Sequence, residues 1–153
     1  MNGNTEVFRQ LVIEDPDCLA GDSISRFLVP IVEELAIKLV LIRDASGASV
    51  PAQLIHGGWM TPEEFMASVG TPIQFDWAFF FMFSESPNTN LTSLALADDR
   101  SLIKDATMTV RLADSHQIFI YGRVPVAYLD KIAISQSLVE NKISSLMELE
   151  IPY

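Results

Sequence analysis

With a single cysteine, Cys18, the 153 residues cannot close an internal disulfide. Histidine is almost as scarce. His56 and His116 are the only two, and they stand sixty positions apart with no local metal-ligand spacing pattern. The glycines form neither a Walker pattern nor a dinucleotide-binding fingerprint, which removes the common phosphate-cradling loops. Lysine and arginine are missing altogether from Asp44 through Asp99, so the aromatic centre of the chain lacks the basic residues that nucleic-acid binding requires. Long apolar runs are missing too. The longest, FLVPIVEELAIKLVLI from Phe27 to Ile42, is interrupted by Glu33, Glu34 and Lys38, and no membrane segment is expected from it. The opening MNGNTEVFRQ shows neither a basic nor an apolar leader region, so a reducing cytoplasmic location is the expectation.

Acid is abundant: twenty Asp and Glu against ten Lys and Arg leave a formal net charge of -10. Such a charge repels phosphate backbones and favours either simple solubility or a basic partner. Asp44, Glu63, Glu64, Asp76, Glu85, Asp98 and Asp99 all fall in the stretch without a basic residue, which makes the central third electronegative. Hydrophobic residues at 49% and charged residues at 20% exclude a disordered chain and supply a core for one domain spanning residues 1–153.

Periodicity sets the expected order of elements. EVFRQLVI (6–13) fits helix and strand imperfectly, with helix favoured, and EDPDCLAGDS (14–23) reads as a loop ending in a cap at Asp22 or Ser23. Ile24, Phe27, Leu28, Ile31, Leu35 and Leu39 recur at helical spacing and predict an amphipathic helix over 24–38, against which Pro30 argues for a kink or a start near residue 29. KLVLI (38–42) reads as a strand, RDASGAS (43–49) as a reversal and VPAQLI (50–55) as a returning edge strand. TPEEF carries a capping box: Thr61 as N-cap, Pro62 at the first helical position and Glu64 at the third.

FDWAFFFMF (75–83) places Phe75, Trp77, Phe79, Phe81 and Phe83 on one face of a strand, and Asp76, Ala78, Phe80 and Met82 on the other. A strand apolar on both sides is expected to lie inside the fold. LTSLALA then reads as the next strand, DDRSLIKD as a turn or short helix, and ATMTVRL (106–112) with QIFIYG (117–122) as a hairpin. Leu129, Ile132, Ala133, Val139, Ile143, Leu146 and Met147 predict a closing amphipathic helix. The fold class that follows is α+β: a largely antiparallel sheet of about five strands, with an early and a C-terminal amphipathic helix packed on it.

No catalytic set, metal site or cofactor emerges. Cys18 stands among Glu14, Asp15, Asp17 and Asp22, which oppose a thiolate, so a small packing residue is the better reading. His56, followed by Gly57, Gly58 and Trp59, is the most enzyme-like spot, and with Trp77 it defines a possible ligand pocket. The paired acids Glu63-Glu64 and Asp98-Asp99 diverge as sequence neighbours and make poor acid/base dyads. The favoured function is therefore a non-enzymatic acidic protein that binds a basic macromolecule through Glu63, Glu64, Glu85, Asp98 and Asp99, in the manner of an immunity protein, inhibitor or dedicated chaperone. A ligand-binding or catalytic domain around His56 and Trp59 is the alternative, and a homo-oligomeric subunit is the third reading.

Overall fold

The computed structural model describes residues 7–14, 21–71, 73–87, 90–114, 116–122 and 138–153. Its strands are β1 (Val7–Glu14), β2 (Leu39–Ala48), β3 (Gly58–Met60), β4 (Gln74–Phe83), β5 (Met108–Ala113), β6 (Gln117–Gly122) and β7 (Leu138–Ser145). All seven join one sheet in the order β3-β2-β4-β5-β6-β1-β7, and every pairing is antiparallel. The α+β class with an antiparallel sheet is as the sequence predicts, with seven strands where about five were expected.

Helices cover both faces. On the first face, α1 (Gly21–Glu34), α2 (Ala52–His56) and α3 (Pro62–Val69) bring Ile24, Leu28, Ile31, Leu54, Phe65 and Val69 onto Ile42, Phe80, Val110 and Ile120 of the sheet. On the second, α4 (Leu91–Leu94) and α5 (Asp99–Asp105) bring Leu94, Leu102 and Ile103 onto Leu41, Phe79, Phe81, Phe119 and Tyr121. A strand sandwiched in this way must be apolar on both sides. That is why β4 carries its run of aromatics: Ala78 through Phe83 are all buried, with Phe79 stacked on Phe81 at 4.9 Å on one side and Phe80 edge-on to Phe65 at 4.8 Å on the other. Burying each such ring contributes roughly 1.5–3 kcal/mol.

One residue leaves the predicted alternation. Phe75 packs with Phe80 at 5.8 Å on the first face rather than with the other odd-numbered aromatics. The register of β2 against β4 shifts between Arg43 and Ser46 and again between Ser46 and Gly47, where Trp77 and Phe75 oppose adjacent residues of β2. The bulge at Asp76 turns the strand by one side-chain step, because a single extra residue exchanges the two faces. Gly47 makes the crossing possible. Its φ is +146°, and a Cβ there would lie 2.0 Å from the Gln74 carbonyl oxygen.

Local signals hold where the element closes on itself. Thr61 and Glu64 form the capping box in full, with Pro62 behind the cap. α1 runs from Gly21 through Pro30 to Glu34, so the helix starts before Asp22 and Ser23 rather than at them, continues past the proline and ends short of residue 38, with Leu39 already in β2. The hairpin of β5 and β6 is present as predicted, and Met108, Val110 and Leu112 share the first face.

Five segments differ from their sequence reading. Residues 7–14 form β1 rather than a helix, because they lie between β6 and β7 and are buried on both sides, which erases any single period. RDASGAS does not reverse the chain but continues β2 through its bulges, and AQLIH of the expected returning strand is instead α2, entered from Pro51; the edge partner of β2 is β3. LTSL forms α4, since the Asn90 carboxamide accepts the amides of Thr92 and Ser93 as an N-cap. The closing helix is replaced over 138–145 by β7, whose pairing completes β1, and its first part (129–137) lies outside the described residues, as does Cys18.

Gly47→Ala is expected to cost at least about 3 kcal/mol, from backbone overlap and strain together. Gly58→Ala meets nothing within 4 Å although its φ is +101°, so it carries strain alone, about 1–3 kcal/mol. Urea unfolding midpoints of the two variants should rank them in that order.

Candidate functional site

Three helix-to-strand junctions meet at the end of the sheet where Leu39 pairs with Phe83 and Val40 with Met60. α1 ends there on Glu33 and Glu34, and the chain enters β2 with the Lys38 amide donating to the Phe83 carbonyl at 2.8 Å. α3 begins there, directly after Met60, with Glu63 and Glu64 in its first turn. Glu85 lies two residues beyond Phe83, where β4 ends. All five glutamates are exposed. The same end receives Lys104 and Asp105 at the close of α5, because the Thr107 amide bonds the Met82 carbonyl at 2.8 Å. Lys38 and Lys104 are the described cations among these residues, so acid predominates. Glu64 is partly committed, accepting from the Thr61 amide and hydroxyl at 3.2 and 3.0 Å.

Asp98 and Asp99 do not join this group. They open α5 on the second face, where Asp98 caps the helix by accepting from the Ser101 amide at 2.9 Å and Asp99 pairs with Arg43 at 3.1 Å. The hydrogen bond from the Ser101 amide holds the Asp98 carboxyl below its ordinary value. The electronegative central third is thus divided. Glu63, Glu64 and Glu85 gather at one end, joined by Glu33 and Glu34, while Asp98 and Asp99 serve contacts within the chain.

Near Asp99 lies the most buried charge described. Arg111, in the middle of β5, is 3% exposed. Its guanidinium carbon stands 4.1 Å from the centre of the Phe79 ring, 4.7 Å from Trp77 and 5.9 Å from Tyr153. Nε donates to the Pro152 carbonyl at 3.0 Å, whereas the buried Nη1 has no hydrogen-bond partner among the described residues. Burial pushes the guanidinium pKa down, and the carboxylates of Asp44 and Asp99 oppose the shift. The aromatic faces supply the cation–π attraction that makes such a burial tolerable.

The ligand-pocket trio is not assembled. His56 is exposed in the last turn of α2, whose buried Leu54 packs on the first face. Trp59 lies against the second face, 5.4 Å from the Phe83 ring, with its indole nitrogen donating to the Leu91 carbonyl at 3.0 Å. Trp77 is on that second face also, at Arg111. No group of three or more His, Cys, Asp or Glu that could hold a metal ion occurs among the described residues.

Glu33, Glu34 and Arg111 were not singled out from the sequence. The two glutamates sit in a helical stripe whose apolar positions draw the eye, and only the path of the chain brings them beside Glu63. Arg111 did leave a signal: a charge between Val110 and Leu112 in an apolar strand demands a buried partner.

Two outcomes follow. Arg111→Lys is expected to lose on the order of 3 kcal/mol in urea unfolding, since a lysine keeps the charge but not the planar stacking or the bond to Pro152, and Arg111→Met should lose less because it leaves no buried ion. Because the Asp98 pKa is depressed on folding, its cap contributes stability above the unfolded carboxylate value, and that contribution is lost as pH falls through the folded value. Asp98→Asn keeps the cap acceptor, so its unfolding midpoint should fall less steeply than the parent's between about pH 5 and about pH 3. No protein-family model, curated protein or solved structure matches the chain, so the site rests on its own geometry.

Proposed function

We propose that the protein is a non-enzymatic acidic binding protein that takes a basic macromolecular partner on the glutamate-rich end of its sheet, as an immunity protein, inhibitor or dedicated chaperone does. The observation that carries this reading is the convergence of Glu33, Glu34, Glu63, Glu64 and Glu85, from three separate chain segments, on one end of the fold. Clustered like charge is unfavourable for the isolated chain, and it raises the local concentration of an oppositely charged partner. Such a field acts chiefly on the association rate, by factors of about 10 to 1,000 at low ionic strength. The overall charge of -10 works in the same direction. Glu63 and Glu34 lie on helix ends anchored to the first-face core, which holds the charged surface in place before any partner arrives.

The first experiment is affinity co-purification from native extract at low salt, with salt elution and mass spectrometry of what is released. Release of a basic protein in stoichiometric amount is expected. Its association rate should fall at least about tenfold when Glu33, Glu63 and Glu85 are changed together to lysine, and should fall steeply with ionic strength. Glu14→Lys, at the opposite end of the sheet beside Gln117, should have a smaller effect per charge reversed. An association rate indifferent to salt and to these reversals would remove the proposal.

A further inference from the structure

Across the second face lies a segment gripped along its backbone by side chains of the sheet and of α5. After β7 the chain makes a 3-10 turn, Leu146–Glu148, and then crosses the sheet as an extended strap, residues 149–153. Arg100 of α5 forks over it, with Nη1 donating to the Leu146 carbonyl at 2.7 Å and Nη2 to the Leu149 carbonyl at 3.1 Å. The Tyr121 hydroxyl donates to the Glu150 carbonyl. Arg111 Nε holds the Pro152 carbonyl, and the Glu150 amide donates to the fully buried Gln10 carboxamide oxygen at 3.0 Å. Side chains add to the grip: Leu149 is buried and Ile151 half-buried on the second-face core, Glu150 pairs with Lys142 at 3.5 Å, and the Tyr153 ring lies 5.9 Å from the Arg111 guanidinium, while Glu148 is exposed. Leu149 has φ -61° and ψ 134°, the polyproline II region, three residues before Pro152.

Side chains that donate to successive carbonyls of an extended, proline-containing segment over an aromatic floor are the chemistry by which proteins dock peptides. Here the docked peptide belongs to the chain itself. The strap also leaves the trough incompletely satisfied, because Arg111 Nη1 is buried without an acceptor. A buried charged donor without a partner costs more than an ordinary unmade hydrogen bond, so an occupant that supplies an acceptor there has an advantage over the strap. Charge points the same way. Arg43, Arg100 and Arg111 meet on this face of a protein whose other end is acidic.

We propose that the trough between α5 and strands β1, β5 and β6 is a docking groove for an extended, acidic, proline-containing segment of a partner protein, occupied in cis by residues 149–153. The strap competes with the partner and sets its apparent affinity, since only the fraction of molecules with the strap lifted can bind. This groove and the glutamate-rich end are separate surfaces, and neither inference depends on the other.

The probe is a fluorescein-labelled peptide of residues 145–153, titrated by anisotropy into the full chain. Leu149→Ala combined with Ile151→Ala weakens the strap without touching the groove wall, and it should tighten peptide binding at least about tenfold. Adding Arg100→Lys, which removes the fork, should reverse that gain. A peptide with glutamine in place of Glu148 and Glu150 should bind at least about threefold more weakly than the parent peptide. Absence of saturable binding to the strap-weakened chain, or equal affinity for it and the unaltered chain, would overturn the proposal. So would a dimer of the unaltered chain that the peptide disperses, because the occupant would then be a second copy. Should the double variant fail to fold, hydrogen exchange on the unaltered chain decides: the Glu150 amide must open at least about tenfold more often than the β5 and β6 amides, and equal protection refutes an exchangeable strap.

Discussion

The fold depends on covering an antiparallel sheet on both faces. β4 stands where that constraint is tightest, with β2 and β5 bonded to its edges and an apolar layer on either side. Neither neighbour can move without exposing phenylalanine rings, and neither helical layer can be omitted. Helices α1 and α3 over the first face and α4 and α5 over the second follow from this need. The bulge at Asp76 and the glycine opposite it are the points where the strand relaxes, and they send Phe75 and Phe79 to opposite layers.

The two layers are not equivalent. The first is a continuous aliphatic and aromatic core, closed by the capped helix α3. The second admits polar groups: Gln10, Thr109 and Arg111 are all buried, and Thr109 and Arg111 each leave an atom without a hydrogen-bond partner. Buried polar groups are costly unless paired, and among the described residues the buried charge, Arg111, places that cost on this face. The strap that crosses there satisfies most of them through its own carbonyls and amide. Gln10, which also donates to Glu140 at 2.9 Å, joins the strap to the edge strand that precedes it.

Charge is sorted along with polarity. The glutamates of α1, α3 and the end of β4 lie at one end of the sheet, while Arg43, Arg100 and Arg111 lie across the second face with Asp99 among them. A net charge of -10 describes neither region. The glutamate-rich end and the arginine-bearing face differ in how salt acts on them, since buried pairs are screened far less than exposed charges.

Much of this was legible in the residues. The α+β class, the capping box at Thr61, the hairpin of β5 and β6 and the double-sided burial of β4 all follow from short-range pattern, because each is written within about ten consecutive residues. Strand β1 and strand β7 were not legible, since a strand buried on both faces loses its period and Val139, Ile143 and Leu146 recur at helical spacing by coincidence. The candidate acids were half legible: composition picked out Glu63, Glu64 and Glu85, but whether an acid faces solvent or an arginine depends on partners 56 residues away, as for Asp99 and Arg43. The sequence by itself determined the class, the local caps and the excess of acid. Only the tertiary structure decided which acids gather and which segment lies over the buried arginine, because those contacts join residues that no local period connects.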